Sequence, residues 1–442
     1  MVGAPNAGAQ VAVAEGMTPI EPRESWARRT FSSLSDSNFR LLYIGNVLQF
    51  GSMQMQLLVR GYLVFQLTGS FAALGSIALA NAIPGLLLAP LGGVVADRAP
   101  KKTVIQLAQA FNAVNAAGLA ILAAGLFGFH LAFWHLFLSA VLQGGVNSLM
   151  MPSRQSIISD LVPHERLMNA VAINTSGQNV MQLIGPGLGG ALITFWDASA
   201  VFWLMALMDG RAVTFTMRIP AHPLYAFAAD RTTTPTTPGR RRGAGSFTEL
   251  VNGMKYVGQD RIVRYLILVN FLIVLVAMPY TMLLPGFVHE VLGKGAGAQG
   301  LLMMVSGIGA VAGSLLVASL SPHGRGRMMI AWGALLGIGL TAFAISTNVW
   351  ITLPIMLVIG AGQAGRMSMG QILIQSYSAP EFRGRAMSVW MMQFYLVQFG
   401  TFFVGLLAEF VGPQLAIGGL AFGMVISMVL LWFYLPTIRN LD

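Results

Sequence analysis

The sequence has no cysteine and little charge of either sign. None of its 442 residues is Cys, and Asp, Glu, Lys and Arg together make up 10%, whereas an ordinary soluble domain carries about 25% charged residues. Without cysteine the chain can form neither disulfide bonds nor thiolate metal sites. With so little charge it cannot cover a globular surface, and 55% of its residues are hydrophobic. These proportions indicate a membrane protein.

Signatures of enzymes and of nucleic-acid binding are also missing. The sequence contains no HExxH, no GxSxG, no paired histidines or acids at ligand spacing, and no P-loop. We therefore expect no enzyme activity, no metal, no cofactor and no direct use of ATP. The net charge is +10, but the basic residues are dispersed between apolar runs, and a nucleic-acid partner would need them clustered on one surface. The N-terminal stretch also lacks the apolar core of a cleavable signal peptide.

Apolar segments of membrane-spanning length recur along the chain. A transmembrane helix needs about 20 predominantly apolar residues. The prediction is an all-α membrane protein with 12 transmembrane helices, numbered here as spans one to twelve. They cover approximately 39–66, 72–96, 103–128, 131–151, 167–195, 198–219, 265–288, 299–320, 328–347, 350–376, 386–409 and 415–435.

Lysine and arginine indicate which ends of the spans face the cytoplasm, because basic residues resist translocation. With the N-terminus inside, nearly all basic loop residues fall on the inner side, and only Lys294 faces outside. We therefore expect a multi-pass protein of the bacterial inner membrane with both termini in the cytoplasm. The inner residues are Arg23, Arg28, Arg29, Arg40, Arg98, Lys101, Lys102, Arg154, Arg166, Arg325, Arg327, Arg383, Arg385 and Arg439.

The longest interruption divides the spans six and six. It contains DRTTTPTTPGRRRGAG, which cannot bury a core, followed by SFTELVNGMKYV, a predicted short helix. The predicted organisation is a cytoplasmic N-terminal tail (1–38), an N-terminal six-helix bundle (39–220), a cytoplasmic linker with a short helix (221–260), a C-terminal six-helix bundle (261–436) and a cytoplasmic C-terminal tail (437–442).

The two halves carry matching segments. SDLVPHERLMNAV follows span four and QSYSAPEFRGRAMSV follows span ten, and the spacing of Pro163 and Arg166 equals that of Pro380 and Arg383. GPGLGG and GTFFVG then fall at nearly corresponding places in the next spans. Transporters are often built from such repeats, so we predict two pseudo-symmetric bundles.

The loop after span two resembles a family signature. It reads GGVVADRAPKK and is similar to the G-x-x-x-D-R-x-G-R/K-R/K loop of the major facilitator superfamily, with Pro100 where the family usually has Gly. The resemblance implies that superfamily's fold and a cytoplasmic gate, in which the Asp lies near the start of helix eleven and the basic residues meet an acid at the end of helix four. The matching residues here are Gly93, Asp97, Arg98, Lys101, Lys102 and Asp160.

A second family motif, G-P-x-x-G-G, is complete in span five as Gly185, Pro186, Gly189 and Gly190. In the superfamily it is associated with exporters, and tight helix packing is the alternative explanation. LLPGFVHEVLGKGAGAQGLLMMVSGIGAVAGSLL and APEFRGRAMSV resemble the subgroup that contains the enterobactin exporter and related secretion carriers. Ala140 stands where drug and proton antiporters usually carry an Arg in helix four, so proton coupling cannot use that Arg.

Polar residues inside the spans mark a candidate substrate cavity, because such residues are costly in a membrane. Five of them share one face of span one at three- and four-residue spacing, and helix one lines the central cavity in this fold. Arg60 could attract an anionic group, or it could reach the outer interface while the amides hold helices together. Arg366 is open between a cavity cation and a structural residue. The candidates are Asn46, Gln49, Met53, Gln56, Arg60, Gln143, Asn147, Asn174, Gln178, Gln182, Gln363 and Arg366.

Proton-coupled transport needs a group that titrates during the cycle. Asp209 is the acid that the sequence places in mid-membrane, although helix six is peripheral in this fold, which favours a structural role. Glu409, at the outer end of span eleven, and Asp36, at the cytoplasmic entrance, are further candidates.

These observations favour export of a small organic molecule, siderophore- or drug-like, by alternating access with proton antiport. The expected partners are the lipid bilayer, a small-molecule substrate and protons, with no nucleic acid, and the protein is expected to be a monomer. Two alternatives stay open: import by proton symport, and a membrane scaffold or receptor that keeps the fold without transport.

Overall fold

The computed structural model describes residues 32–220, 224–225, 253–320 and 323–441, without the side chains of Pro90 and Asp97. Within these residues the regular structure is entirely helical. Most of the predicted N-terminal tail and of the predicted linker lies outside them. The described part of the predicted linker helix, residues 253–259, is helical.

Six long helices form the first half of the chain and correspond to spans one to six. They are α1 (Ser37–Thr68), α2 (Phe71–Arg98), α3 (Lys101–Ala123), α4 (Phe133–Leu161), α5 (His164–Phe195) and α6 (Ala198–Met217). Short 3-10 helices at Ser32–Ser35 and Leu126–Gly128 precede α1 and α4.

The second half repeats this arrangement with two of its spans interrupted. Its helices are α7 (Arg261–Ala277), α8 (Tyr280–Glu290), α9 (Ala296–Ser319), α10 (Arg325–Ile345), α11 (Val349–Tyr377), α12 (Arg383–Met391), α13 (Gln393–Val411), α14 (Pro413–Tyr434) and the short α15 (Pro436–Arg439). Span seven is α7 plus α8, interrupted at Pro279, which has no backbone N–H to donate. Span eleven is α12 plus α13. The predicted fold class, an all-α protein of twelve long helical segments in two related sets of six, is confirmed.

The hydropathy of the helices differs between the two halves. Nine helical segments of the described chain are long and apolar enough to cross a membrane. The long helices that are less apolar are α1, α4 and α5, and these carry most of the polar residues proposed above for the cavity. Polar residues that line a cavity inside a bundle lower the hydropathy of a helix without exposing those residues to lipid.

Local sequence explains several helix ends. Asp36 accepts hydrogen bonds from the backbone N–H groups of Asn38 (2.8 Å) and Phe39 (3.1 Å) at the start of α1. Gly69 ends α1 with a φ of 61°, a left-handed conformation that glycine adopts without strain. The chain therefore turns directly from α1 into α2.

The largest difference from the predicted spans is in α4. Span four was predicted to end at 151, whereas α4 continues to Leu161. The polar segment PSRQS lowers the hydropathy there without ending the helix. Arg154, which the loop-charge argument assigned to a cytoplasmic loop, therefore lies inside the helix and is only 6% exposed. In the opposite sense, span three was predicted to reach 128, but α3 ends at Ala123.

The two halves repeat the same helix pairings. In the first half α2 packs on α4 and α3 packs on α6, and in the second half α9 packs on α11 and α10 packs on α14. The halves meet along two seams, α5 with α9 and α2 with α13. The pseudo-symmetry that relates the halves maps α5 onto α13 and α2 onto α9, so it maps each seam onto the other. This is the pseudo-symmetry predicted from the matching segments.

The closest approaches between the halves lie at one end of the molecule. We call this the Glu409 end, where α1 passes into α2 and α13 into α14, and the opposite end, where α2 passes into α3, the Lys101 end. A Cβ atom on Gly190 would lie 2.6 Å from the carbonyl oxygen of Ala296, and one on Gly405 would lie 2.6 Å from that of Phe71. Both seams thus rely on glycine to bring helix backbones together.

Candidate functional site

The first cavity lies inside the N-terminal half and has a volume of about 520 Å³. Side chains from α1, α3, α4, α5 and α6 enclose it. Its ionisable lining residues are Arg154 and Asp209. Seven of the predicted cavity residues also line it: Gln49, Met53, Gln56, Gln143, Asn147, Asn174 and Gln178.

Asp209 turns from α6 towards α1 and this cavity. Its side chain is 2% exposed, and its Oδ2 accepts a hydrogen bond from the Ser52 hydroxyl at 2.7 Å. Its Oδ1 has no partner within the described residues. The expectation that helix six is peripheral did not anticipate this inward orientation. A buried carboxylate with one unpaired oxygen can bind a proton or accept a hydrogen bond from a ligand.

Arg154 is a functional candidate that the sequence reasoning missed. Its Nε donates to Asn46 Oδ1 and its Nη2 to the Asn46 carbonyl oxygen, both at 3.1 Å. Asn46 in turn donates to Asn174 at 2.9 Å. The signal was present in the sequence, because Gln143, Asn147 and Arg154 share one helical face, but the low hydropathy after Met151 placed Arg154 in a loop.

Amide side chains form a hydrogen-bonded layer beside the first cavity. Gln109 donates to Gln49 at 3.2 Å and accepts from the Thr216 hydroxyl at 3.0 Å. Gln143 donates to Asn112 at 3.4 Å. These bonds join α1, α3, α4 and α6, so the polar residues of the wall hold one another in place.

Arg60 lies behind the wall of the first cavity and lines neither cavity. Its guanidinium donates to Ser139 at 3.3 Å and to Gln143. Since Gln143 lines the cavity, Arg60 reaches the cavity through that amide. Asn46 likewise lies behind the wall, bonded to Arg154 and Asn174.

The second cavity lies between the two halves and has a volume of about 550 Å³. It is bounded by α1 and α5 on one side and by α8, α9 and α11 on the other. Gln182 and Gln363 of the predicted set line it. Its lining runs from Pro186 to Thr175 on α5 and from Met303 to Ser314 on α9, in both helices from the α5–α9 seam towards the Lys101 end.

Arg366 does not line this second cavity, although Gln363 and Met367 beside it do. Its side chain is 3% exposed, and its Nη1 donates to Asn270 Oδ1 at 2.6 Å. Asn270 then donates to Gln393 at 3.3 Å. Each half thus contains an Arg from its fourth span bonded to an Asn from its first span.

The G-P-x-x-G-G segment of α5 forms part of the contact between the halves. A Cβ on Gly300 of α9 would lie 2.6 Å from the Pro186 carbonyl oxygen. Gly185 faces Gln54 of α1, and Gly189 faces Met55. The motif therefore lies where α5 packs closely against both α9 and α1 and requires small residues.

The predicted gate residues lie at the Lys101 end. Lys101 Nζ forms an ion pair with Asp160 Oδ2 at 2.8 Å, and Lys102 Nζ donates to the carbonyl oxygens of Met217 (2.9 Å) and Ile219. Arg98 is exposed and Gly93 has open space around it. The Asp97 side chain lies outside the described part of the structure.

Glu409 and Asp36, the other two proton-carrier candidates, both lie at helix N-termini. Glu409 Oε2 accepts hydrogen bonds from the Ser70 hydroxyl (3.0 Å) and from the backbone N–H groups of Phe71 (2.7 Å) and Ala72 (3.2 Å). It therefore caps α2 from the opposite half of the molecule. A carboxylate at a helix N-terminus stabilises that end by about 0.3 to 1 kcal/mol when exposed.

Comparison with known proteins identifies the family. The model of the transmembrane secretion effector family matches residues 28–442, nearly the whole chain. The chain therefore belongs to that family of major facilitator transporters, and the resemblance noted in the sequence is confirmed. It is a multi-pass membrane transporter and not an enzyme.

Individual relatives are distant. The chain is 22% identical to the staphyloferrin A transporter of Staphylococcus aureus (strain NCTC 8325 / PS 47), over 77% of this chain and 81% of that protein. It is 23% identical to the multidrug efflux pump Tap of Mycolicibacterium fortuitum, over 86% and 91%. A match to YfiS of Bacillus subtilis (strain 168), an uncharacterized transporter of the same type, spans 32% of each chain at 26% identity.

Solved structures show the same fold. The crystal structure of the nucleoside transporter NupG superposes with a TM-score of 0.68, covering 91% of this chain and 99% of NupG at 16% identity. At this identity the likeness concerns the fold alone.

Proposed function

We propose that this member of the transmembrane secretion effector family exports a small organic molecule, siderophore- or drug-like, by alternating access driven by proton antiport. The names of its relatives support this: one is called a multidrug efflux pump, another a macrolide efflux protein, and a third the staphyloferrin A transporter. The fold and the family support a transport function, whereas the identity of the cargo and the direction of transport must be argued from the site.

The orientation follows from the positive-inside rule. Lys101, Lys102 and Arg383 all lie at the Lys101 end, so this end is cytoplasmic and the Glu409 end faces outwards in the bacterial plasma membrane. The halves divide at the linker, with residues 39–220 and 261–436 as the two bundles and both tails in the cytoplasm. The two bundles form one transport unit, so the protein acts as a monomer.

The observation that carries the proposal is the second cavity. It lies between the two bundles and extends towards the Lys101 end as far as Thr175 on α5 and Ser314 on α9. The close α5–α9 contact of Gly190 with Ala296 lies on its Glu409 side. In this orientation the molecule is inward-facing. Rocking of the bundles about the cavity would separate the seams and close the Lys101 end.

The first cavity supplies the coupling group. Asp209 has one unpaired carboxylate oxygen and shares its cavity with Arg154. When Asp209 is ionised, it attracts Arg154 or a donor group of the cargo; when it is protonated, it attracts neither. Antiport requires the proton and the cargo to bind in alternation, and competition for one carboxylate meets this requirement.

The amide side chains that line the two cavities contact the substrate. Gln49, Gln56, Gln143, Asn147, Asn174 and Gln178 in the first cavity, with Gln182 and Gln363 in the second, present donors and acceptors to a polar organic molecule. Met53 adds an adaptable apolar surface. Arg60 and Asn46 orient these contacts from behind the wall.

The test uses inverted membrane vesicles, whose interior corresponds to the outside of the cell. We expect siderophores or antibiotics of the transported class to accumulate when the interior is acidic, and the accumulation to collapse with the pH gradient. The matched variants are Asp209→Asn, which should lose gradient-driven accumulation, and Arg211→Gln, an exposed position two residues further on the same helix, which should keep it. Accumulation driven by an alkaline interior would instead identify a symporter.

A further inference from the structure

The outer face of α7 changes from basic to apolar along its length. Its residues recur at intervals of three and four, which places them on one side of the helix: Arg261, Arg264, Tyr265, Leu268 and Leu272. Leu268 is 55% exposed and Leu272 is 39% exposed, whereas the other sides of α7 pack into the C-terminal half. This side of α7, called here the α7 face, is therefore turned to the lipid.

Two guanidinium groups of the α7 face converge on one aromatic ring. The Cζ atoms of Arg261 and Arg264 lie 5.8 and 5.6 Å from the centroid of the Tyr265 ring, within the range of a cation–π interaction. Arg264 Nη1 also donates to the Gly258 carbonyl oxygen at 2.9 Å. That bond occupies one of its five N–H groups, so both side chains keep donors for a ligand beside the ring.

No acid in the described ranges forms an ion pair with either arginine. The neighbouring Asp260 instead caps α7, since its Oδ1 accepts from the backbone N–H groups of Ile262 (2.9 Å) and Val263 (3.0 Å). Both arginines lie at the start of α7, where the positive end of the helix dipole disfavours cations. An anion held by the two side chains would offset both their mutual repulsion and this interaction.

The α7 face is also placed correctly for a lipid. α7 begins at the Lys101 end, and tyrosine and basic residues are typical of the interface between membrane and water. Leu272 lies about 10 Å further along the helix than Tyr265, which is the direction of the membrane interior. A molecule with a phosphate and acyl chains can therefore contact the arginines and the leucines together, whereas a soluble anion can contact only the arginines.

We propose that the α7 face binds an anionic phospholipid, with its phosphate between Arg261 and Arg264 and its acyl chains along Leu268 and Leu272. The phosphate oxygens accept charge-assisted hydrogen bonds from both guanidinium groups. A zwitterionic headgroup binds more weakly, because the arginines repel its ammonium group. The site lies on the lipid-facing surface, apart from both cavities, and it does not depend on the direction of transport or on proton coupling.

The experiment measures the melting temperature of the purified full-length protein in a neutral detergent at constant ionic strength. Dioleoyl phosphatidylglycerol is added in one series and dioleoyl phosphatidylcholine, which has the same chains, in another. A ligand that binds only the folded state raises the melting temperature with its concentration. We expect a saturable rise with phosphatidylglycerol and a smaller one with phosphatidylcholine. Inorganic phosphate, which lacks the chains, should give no rise.

Substitutions locate the site. Arg261→Gln combined with Arg264→Gln should raise the half-saturating concentration of phosphatidylglycerol roughly 30-fold, because each basic residue near an anionic lipid contributes a factor of roughly five. Arg218→Gln removes an exposed arginine at the same end of the other half and should respond like the wild type. If the double variant does not fold, each single variant takes its place, with a change of roughly fivefold expected.

Four results would overturn the proposal. Equal rises with both lipids would mean that the acyl chains alone bind, and a rise with inorganic phosphate equal to that with phosphatidylglycerol would identify a soluble anion as the ligand. A response that the Arg261 and Arg264 variants leave unchanged would place the lipid elsewhere. Equal weakening by Arg218→Gln and by either single variant would mean that the response depends on net charge and not on this site.

Discussion

At the scale of single residues, the arginines inside the N-terminal half are compensated in different ways. Arg154 bonds to Asn46 and shares a cavity with Asp209. Arg60 uses the neutral acceptors of Ser139 and Gln143. A neutral acceptor satisfies the N–H group but leaves the charge, whereas a nearby carboxylate can alternate between compensating that charge and binding a proton. Of these arginines, Arg154 is therefore the one suited to the proposed proton-dependent cycle.

The first prediction concerns Asp209. Asp209→Asn keeps the size of the side chain and an acceptor for the Ser52 hydroxyl, but it removes the titrating group. We expect transport against a gradient to fall to background while exchange of cargo down its gradient remains. The measurement is counterflow in proteoliposomes without a pH gradient, beside gradient-driven uptake. Equal gradient-driven uptake by the variant and the wild type would exclude Asp209 as the coupling residue.

The second prediction concerns Arg60 and Gln143. If Arg60 acts on the cargo by orienting Gln143, then Arg60→Ala, Gln143→Ala and the double variant should raise the KM for the cargo by similar factors. Arg60→Ala should also lower stability, since hydrogen bonds to charged groups contribute about 1.5 to 3 kcal/mol. Additive effects on KM in the double variant would show that Arg60 contacts the cargo by a separate route.

At the scale of helices, the Glu409 end is held closed by backbone contacts and by one carboxylate. Glu409 accepts hydrogen bonds from two backbone N–H groups and one hydroxyl at the start of α2. Glycines of the same seam let the backbones of α2 and α13 approach closely. The N–H groups that begin a helix have no partners within it. Separation of the halves at this end would therefore expose the N–H groups of α2 to water, which would replace Glu409 as their hydrogen-bond acceptor.

The third prediction follows from this contact. Glu409→Gln weakens the cap by removing its charge, and it should shift the population towards the state that is open at the Glu409 end. Because the chain has no cysteine, Ser76→Cys beside the seam provides a single site for a membrane-impermeant maleimide. Labelling from outside should become faster in the Glu409→Gln background and stay unchanged with Glu381→Gln, an exposed acid. Unchanged labelling in both would rule out a closing role for Glu409.

At the scale of the whole molecule, the proposed alternating-access cycle requires both ends to open in turn. The Lys101–Asp160 ion pair joins α3 to α4 within one half. The family resemblance adds Asp97 as the residue that would reach the start of helix eleven, here α12, when the halves approach at the Lys101 end.

The fourth prediction tests that gate. Asp97→Asn should abolish efflux while membrane insertion and folding stay intact, because an Asn at a helix N-terminus loses the favourable interaction of a carboxylate with the helix dipole. Efflux from cells and the amount of protein in the membrane are the two measurements. Normal efflux by this variant would contradict the gate. Asp160→Asn serves as a comparison, since its ion pair lies within one half.

The sequence predicted single helices better than their contacts. Gln49, Met53 and Gln56 could be placed on a cavity-lining face because helical periodicity depends on residues close together in the chain. Arg154 was not predicted as a cavity residue, because hydropathy registers a polar side chain but not its burial by neighbouring helices. Arg60 was placed on the same face, yet its partners on α4 hold it behind the cavity wall.

The sequence by itself determined the fold class, the division into halves and the family, because apolar span length, repeated segments and family motifs are properties of local sequence. The tertiary structure alone decided that Asp209 turns towards the first cavity and that both seams make their close backbone contacts at the Glu409 end. It also decided that Arg366 has no acidic partner within the described residues. Each depends on side chains from helices far apart in the chain, whose rotation and depth are set by packing against one another.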